Sequence, residues 1–524
     1  TQKDRAMRAV GEVALAKMQT KVSAFEIARK SAPDSFAPAP ETSKVSIVVL
    51  PFANMSGDQE QEYFSDGITE DIITDLSKVS ALTVISRNSA FMFKGRHVDL
   101  PQVAHQLKVS HVLEGSVRKS GNRVRITAQL INGATNGHVW AERYDRDLAD
   151  IFALQDEISE TIVKALKLKL LPEEKKAIET RGTSNVEAYD IYLRARTLTD
   201  RMGAANLKRA IELYRHVIAL DPNFQPAMGG LIQALRNYAV AAPDHRAEAL
   251  AELDATYERI IQTSSHQWLT QTIRGAQRQF NRDYVGAEQL HDEAARSAPA
   301  GALIGHRAYF QEAVCRFEEA IETYRPMLRL DPLSLVVSLM FQGRLDVGGK
   351  REEAQAEYER SKDLAGDRSM IEFLAFLRLW ARAKPEEITA QYQRFLSSRG
   401  PEMRATVFDQ IEPVLFATEA ARQLISRAAA DPTNQSATRL VQLGLLAGAF
   451  GAIDAALVAL RIAFVDMSFS PQRYLWLPVL VQARKDPRFK AIVRDLGLYD
   501  YWKKSGKWGD FARPLGDDDF EIVR

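Results

Sequence analysis

A single cysteine, Cys315, in 524 residues excludes an internal disulfide framework and any cysteine-rich zinc site, and fits a reducing compartment. Charge of one sign is lacking as well. With 69 basic and 68 acidic residues the formal net charge is +1, which gives no global electrostatic case for nucleic acid or an anionic membrane. Long apolar runs are scarce. The first thirty residues, TQKDRAMRAVGEVALAKMQTKVSAFEIARK, hold no continuous apolar segment of the kind a secretory signal needs. The best candidate for a membrane span, Leu440–Leu460, contains Asp454, which costs roughly 2–3 kcal/mol or more near a bilayer centre. Its GAFGA break at 448–452 suits a turn between packed helices. These features lead us to expect buried helices, no membrane segment in this chain and a cytoplasmic setting. The chain begins at Thr1 rather than Met, so an upstream segment is expected in the natural protein.

Catalytic signatures are missing too. SIVVLPFANMSGDQEQEYFSDGITEDIITDL, 46–76, reads as strand, loop and helix, the outline of a phosphate cradle. Its loop holds one glycine, Gly57, and no lysine, and four acidic residues have accumulated by Asp66, which would repel a phosphate. No GxGxxG occurs. Asp66, Glu70, Asp71 and Asp75 share one helix face and could in principle hold a divalent cation. A solvated acidic face near a helix N-terminus is the expectation. The nine histidines show no HxH or HExxH spacing, and His105 and His111 are expected to cap or pack around a short helix. GSV at Gly115 lacks the second glycine of a nucleophile elbow. Arg118, Lys119, Arg123 and Arg125 cluster on one hairpin, where a solvated strand face is expected ahead of an anionic partner. No catalytic, cofactor-binding or metal-binding residue is assigned, and no cofactor is expected.

Apolar and charged contents of 46% and 26% are ordinary for globular protein, so this length should divide into about three or four domains. SAPDSFAPAPETS, 31–43, has no helical or strand period and reads as a linker over 31–44. Then comes an α/β segment, 45–172. We read strands at 45–52, 82–86, 111–119, 123–131 and 138–144, and helices at 62–79, 100–108 and 148–171. In NRVRITAQLIN, Val124, Ile126, Ala128 and Leu130 alternate with Arg123, Arg125 and Gln129, as a half-buried strand should. Gly121 and Asn122 supply its hairpin turn. Ile151, Leu154, Ile158, Ile162, Ala165 and Leu166 form the stripe of the last helix, and Pro172 limits how far that helix runs.

From about Asn185 the chain reads as helix after helix, and a repeat emerges. KRAIELYRHVIALDPNF (208–224) and EEAIETYRPMLRLDPLS (318–334) place Ala210, Tyr214 and Pro222 at the spacing of Ala320, Tyr324 and Pro332. Ala287, His291, Ala294 and Pro299 follow this skeleton loosely, as do Ala354 and Tyr358. A small residue lets two antiparallel helices approach, the aromatic fills the groove, and the proline ends the helix. Such units must stack to bury their faces. The repeats are placed at 185–465, with 385–440 fitting poorly, and a helical cap at 466–524.

The second helix of these units resembles the tetratricopeptide repeat. The stretch 46–171, through SIVVLPFANMSGDQEQEYFSDG, SHVLEGSVRKSGNRVRITAQLI and HVWAERYDRDLADIFALQDEIS, closely resembles the TolB amino-terminal-like domain of bacterial signalling proteins. LPVLVQARKDPRFKAIVRDLGLYDYWKKSGKWGDFARP, 477–514, looks like the closing segment of the same proteins. Residues 1–30, in VGEVALAKMQTKVSAFEIAR, are similar to the last strands of class III adenylate/guanylate cyclase domains, with Lys17 in place and Lys21 where that family has proline.

The resemblance implies an α/β domain, a mixed sheet with flanking helices, followed by an all-α superhelical solenoid of tetratricopeptide type. It implies a non-catalytic regulatory region whose cyclase domain would lie upstream of Thr1. Two alternatives stay open: the sensor region of a winged-helix transcription regulator, and a free-standing scaffold. A protein or peptide on the concave face of the repeats and the upstream output domain are the expected partners, with no direct nucleic acid. A small-molecule signal near Phe52–Asp58, at the carboxyl ends of the strands, is an expectation by fold analogy. The aromatic end, Tyr499, Tyr501, Trp502, Trp508 and Phe511, is expected to cover the last helices, with a docking patch as the alternative.

Overall fold

Alternation of apolar and charged residues in the α/β segment produces the strands it announces. In the computed structural model, residues 7–13, 22–27 and 45–523 are described, except 97, 180–181, 202, 265, 299–303, 363, 365–367, 381–382, 400–406, 432–435, 468 and 470–471. The chain divides into two units, 1–44 and 45–524. In the first, β1 (Met7–Val13) and β2 (Val22–Ile27) pair antiparallel, with a register shift between Ala9 and Gly11. Lys17, Lys21 and the linker at 31–44 lie outside the described residues.

The second unit opens with a mixed sheet of β3 (Val45–Val49), β4 (Ala53–Asn54), β5 (Leu82–Val84), β6 (His111–Ser120), β7 (Arg123–Asn132) and β8 (His138–Asp147). Its order is β5-β3-β6-β7-β8, with β4 beside β6. Contacts of β3 with β5 and β6 are parallel, those of β6–β7 and β7–β8 antiparallel. Ile47, Val48 and Val49 are fully buried, as an interior parallel strand requires. On β7, Val124, Ile126, Ala128 and Leu130 are buried while Arg123 and Arg125 are exposed. Gly115 has a packing reason: a Cβ there would lie 2.4 Å from the Thr127 carbonyl oxygen and 2.8 Å from the Phe52 ring. Helices α1 (Glu62–Ser77), α2 (Arg87–Phe91), α3 (Leu100–Leu107) and α4 (Ile151–Ala165) flank the sheet, and α5 (Pro172–Glu179) follows.

Two expectations are corrected here. The helix read as 148–171 is α4 alone, Ile151–Ala165, because Lys167 turns into the left-handed region at φ 57 and Leu168 N–H closes on the Val163 carbonyl at 3.1 Å. Pro172 then opens α5 at its first position, where its missing N–H costs nothing. Helix α2 was not foreseen, since five residues carry no helical period; Ser86 caps it through its side chain.

Beyond α5 the chain is a helix array. It runs α6 (Val186–Asp200), α7 (Ala204–Leu220), α8 (Gln225–Ala241), α9 (Arg246–Thr263), α10 (Gln267–Phe280) and α11 (Tyr284–Ser297). It continues with α12 (Ile304–Ala313), α13 (Phe317–Leu330), α14 (Leu335–Val347), α15 (Arg351–Ser361), α16 (Ser369–Leu379) and α17 (Pro385–Ser398). Then come α18 (Val407–Ile411), α19 (Thr418–Ala430), α20 (Ala437–Phe450) and α21 (Ile453–Arg461). In the region 385–440, a poor fit to the repeat, the described residues include α17, α18, α19 and the start of α20. Neighbours pack in sequence as hairpins, α6 on α7, α8 on α9, α12 on α13, α14 on α15, α16 on α17 and α20 on α21. This is a solenoid-like all-α region after a mixed α/β sheet. Gly451, at φ 74, ends α20 as GAFGA suggested, and among the described residues no helix is long and apolar enough to cross a membrane.

The repeat skeleton is a set of real contacts. Ala210 and Ala320 are fully buried, Tyr214 and Tyr324 nearly so, and Pro222 and Pro332 lie just past the ends of α7 and α13. The two copies also stack on their successors in the same way. Arg215 bonds Glu252 of α9 at 2.6 Å, and Arg325 bonds Glu353 of α15 at 2.9 Å. Seven residues further on, Arg259 reaches the Pro222 carbonyl at 3.3 Å and Arg360 reaches that of Pro332. After α21 the closing segment is not helical throughout. Short turns lead to α22 (Pro487–Asp495) and α23 (Leu498–Ser505), and then to an antiparallel hairpin of β9 (Ala512–Leu515) and β10 (Asp519–Ile522).

Candidate functional site

The loop at the carboxyl end of β3 has no backbone N–H groups gathered for an anion. Phe52 N–H donates to Thr69 Oγ1 at 3.0 Å and Met55 N–H to the Val117 carbonyl at 2.8 Å. Ser56 N–H goes to Asn54 Oδ1 at 3.0 Å and Glu60 N–H to Asp58 Oδ1 at 2.9 Å. Because β4 zips onto β6, residues 52–58 are stitched down.

The acidic face of α1 is not the solvated surface expected from the sequence. Asp75 is 1% exposed and meets Lys78 at 2.9 Å. Asp71 accepts from Gln155 at 2.7 Å and from the Tyr189 hydroxyl. Glu70 lies 2.6 Å from Arg87 and 3.2 Å from Arg196 of α6, and Asp66 lies 2.6 Å from Lys94. Across the same seam the Tyr63 hydroxyl donates to Asp190 at 2.7 Å, Lys119 reaches Asp190 at 2.8 Å, and Arg87 reaches Asp200 at 2.7 Å. Burial raises the pKa of Asp66, Glu70 and Asp71, and the cations beside them hold the shift back. Burial and the Asp190 carboxylate push the Tyr63 hydroxyl up to about 12. The acids are thus consumed in a polar seam that joins the sheet segment to α6. Among the described residues no grouping of three or more His, Cys, Asp or Glu could hold a metal ion.

The basic hairpin is spent inside the fold. Register places Arg125 opposite Asp145 and Arg123 opposite Asp147. Arg125 bonds Asp145 at 2.6 Å, and Arg123 bonds Asp145 and, at 3.3 Å, Asp147. Arg118 donates to the Met55 carbonyl at 2.9 Å. His111 shares a 2.9 Å contact with Ser110 Oγ, and burial lowers its pKa.

The helix array is tied to distant parts of the chain at two places that no local pattern announced. First, the α13–α14 loop holds α2. Ser86 N–H donates to the Leu330 carbonyl at 2.7 Å, Ser89 Oγ to Asp331 at 2.7 Å, Asn88 Nδ2 to Asp331 at 3.0 Å, and Leu333 N–H to Ser89 Oγ at 2.8 Å. Second, residues 472–476 pack against both α12 and α14. Arg473, 1% exposed, bonds Glu312 at 2.9 Å, and Arg344 meets the same carboxylate at 2.9 Å. Gly343 makes room, since a Cβ there would sit 2.6 Å from Arg473 Nε. The surface between α12 and α14 is therefore filled by the chain itself.

The aromatic end closes an apolar core whose buried members run from Tyr284 to Phe520. Tyr501, Trp502 and Phe511 are buried, Trp502 donates to the Val314 carbonyl at 3.1 Å, and Asp510 accepts from Phe317 and Glu318 N–H at 2.6 and 3.0 Å, capping α13 from far along the chain. Hollows open at other places. One of about 730 Å3 lies at the α4–α5 elbow, one of about 500 Å3 between α16 and α17, and one of about 420 Å3 beside Arg215, Glu252 and Arg259.

Two comparisons bear on this architecture. Residues 43–161 match the family model of the second domain of HilA/YgeH-like transcriptional regulators. Over 213 residues the chain is 51% identical to a protein of Rhizobium meliloti (strain 1021) named "Putative adenylate cyclase 3"; the match covers 40% of this chain and 36% of that protein. The chain thus spans little more than a third of that relative's length.

Proposed function

We propose that this chain is the regulatory and protein-interaction region of a bacterial signalling protein. In this reading a TolB amino-terminal-like α/β domain and tetratricopeptide-type helical repeats serve a class III adenylate or guanylate cyclase domain carried elsewhere in the natural protein. The observation that carries the reading is the double attachment of sheet to array, through the α1–α6 seam and the α2–Asp331 latch. A partner binding the helices would thereby pull on the sheet segment, a mechanical link suited to reporting occupancy. The similarity to a protein named as an adenylate cyclase supports the output chemistry. Surfaces of the array outside the self-filled α12–α14 stretch are where a partner peptide would bind.

The second reading, the sensor region of a winged-helix transcription regulator, draws support from the HilA/YgeH-like family model over 43–161. Isolating the natural protein and measuring cyclic nucleotide formation from ATP and GTP separates the two. The cyclase reading expects activity from the natural protein and none from the 524-residue chain. Sequence-selective DNA binding by the natural protein, without nucleotide cyclisation, would overturn it in favour of the regulator.

A further inference from the structure

Several basic residues on or beside the sheet are answered within the fold: Lys94 by Asp66, Lys119 by Asp190, Arg125 by Asp145, and Arg118 by the Met55 carbonyl. The lysines of the α4–α5 elbow differ. Lys164, Lys167, Lys169 and Lys175 line its hollow of about 730 Å3, with Glu160 the one carboxylate among the lining residues. Glu160 lies 3.2 Å from Lys175. Among the described residues no ion pair engages Lys164, Lys167 or Lys169. The helix dipole accounts for cations at the C-terminus of α4, where Lys164 and Lys167 stand. It does not account for Lys169, beyond the helix, or for Lys175, in the first turns of α5, where it opposes a positive charge.

Between Lys167 and Leu170 the chain alternates. Lys167 and Lys169 are exposed, while Leu168 and Leu170 are half-buried and line the same hollow. The result is an apolar floor with a cationic rim, of a size within the ~300–1,000 Å3 of small-ligand sites. The residue type bears on the ligand as well. Arginine forks meet carboxylates in Arg125–Asp145, Arg215–Glu252 and Arg325–Glu353, and lysines meet them in Lys94–Asp66 and Lys490–Asp519. The hollow is lined by no arginine, and lysine point charges suit the tetrahedral oxygens of a phosphate.

We propose that the α4–α5 elbow binds a phosphate-bearing small ligand whose apolar body rests on Leu168 and Leu170. The site is independent of which output domain the natural protein carries. Isothermal titration of the 524-residue chain with 1-naphthyl phosphate, inorganic pyrophosphate and 1-naphthoate tests it. Naphthyl phosphate should bind with an affinity that falls as salt rises. The double change Lys167→Gln/Lys169→Gln should weaken it roughly tenfold or more, the scale of one or two charge contacts. Leu170→Ser should weaken naphthyl phosphate more than pyrophosphate, and Lys503→Gln, a lysine on α23, should change nothing. These variants are checked for an unchanged unfolding midpoint. The proposal is overturned if neither phosphate probe binds at millimolar concentration, if naphthoate binds as tightly as naphthyl phosphate, or if Lys503→Gln weakens binding as much as the double variant. Tighter association with phosphatidic acid vesicles than with naphthyl phosphate would move the site to a lipid surface and equally sink it.

Discussion

Leu220-Asp221-Pro222 and Leu330-Asp331-Pro332 close two copies of one helix skeleton and do different things. Asp221 is half-buried and its carboxylate accepts from Asn223 N–H at 3.2 Å, a local turn contact. Asp331 is 4% exposed and receives Ser89 and Asn88 from α2. The repeated residues therefore specify a helix end, while the use of that end depends on what the rest of the chain brings to it. Pairs such as Arg215–Glu252 and Arg325–Glu353 show the opposite case, a stacking contact conferred equally on both copies.

The comparison breaks most visibly at the aromatic. Tyr214→Ala and Tyr324→Ala should each cost about 3–5 kcal/mol by opening a cavity against the neighbouring helix. Hydrogen exchange of amides in α7 and α13 reads the loss locally. A loss under about 1 kcal/mol in one copy would mean that copy does not rest on its tyrosine.

The looser copy sharpens the contrast. His291 stands where Tyr214 and Tyr324 stand, 9% exposed, against Gly275 of α10 and Phe310 of α12. Burial first, then His306, lowers its pKa to about 4. Because the folded protein favours neutral His291, its contribution is intact above about pH 6.5 and is lost as pH falls from there toward 4. The shift corresponds to an order of 3 kcal/mol at the acid end. His291→Phe should flatten the stability profile of α10–α12 across that window, and an unchanged slope would show that His291 is not the group titrating.

Next in size is the latch. Asp331→Ala strands the Ser89 hydroxyl and the Asn88 amide, for about 1–3 kcal/mol, whereas Asp221→Ala should cost about 0.5 kcal/mol or less, as surface changes usually do. Equal losses at the two positions would erase the distinction between them. Smallest are Arg215→Gln and Arg325→Gln, each expected to cost about 1 kcal/mol or less because the pairs are solvent-screened. Differential scanning calorimetry at low and high salt checks both, the difference shrinking as salt rises.

Legibility of the chain followed the range of the interaction. The β6–β7 hairpin was readable because alternation over Arg123–Asn132 is a property of adjacent residues, and Gly121 announces its turn. The α20–α21 turn was readable from GAFGA. Helix α2 was too short to show a period, and α4 ended early at a lysine that carries no conventional stop signal. The acidic face of α1 misled because identical letters describe a solvated stripe and a buried seam. Only the approach of Arg196, Tyr189 and Asp190 from α6 decides between them. For the Glu312–Arg344–Arg473 cluster, and for the lysine elbow, nothing in local spacing was diagnostic, since each gathers residues whose meeting depends on how helices end and pack.

By itself, then, the amino-acid order determined the class of each region: a mixed sheet with flanking helices, then stacked helix pairs carrying an alanine–aromatic–proline skeleton. Those are consequences of periodicity, side-chain size and backbone restriction within a few turns of chain. Tertiary structure alone decided which charges are spent on the fold, which face of the array the chain fills with residues 472–476, and which lysines are left over. Burial and pairing are set by groups tens to hundreds of residues away, and the free energy of a charge depends on that environment far more than on its neighbours in sequence.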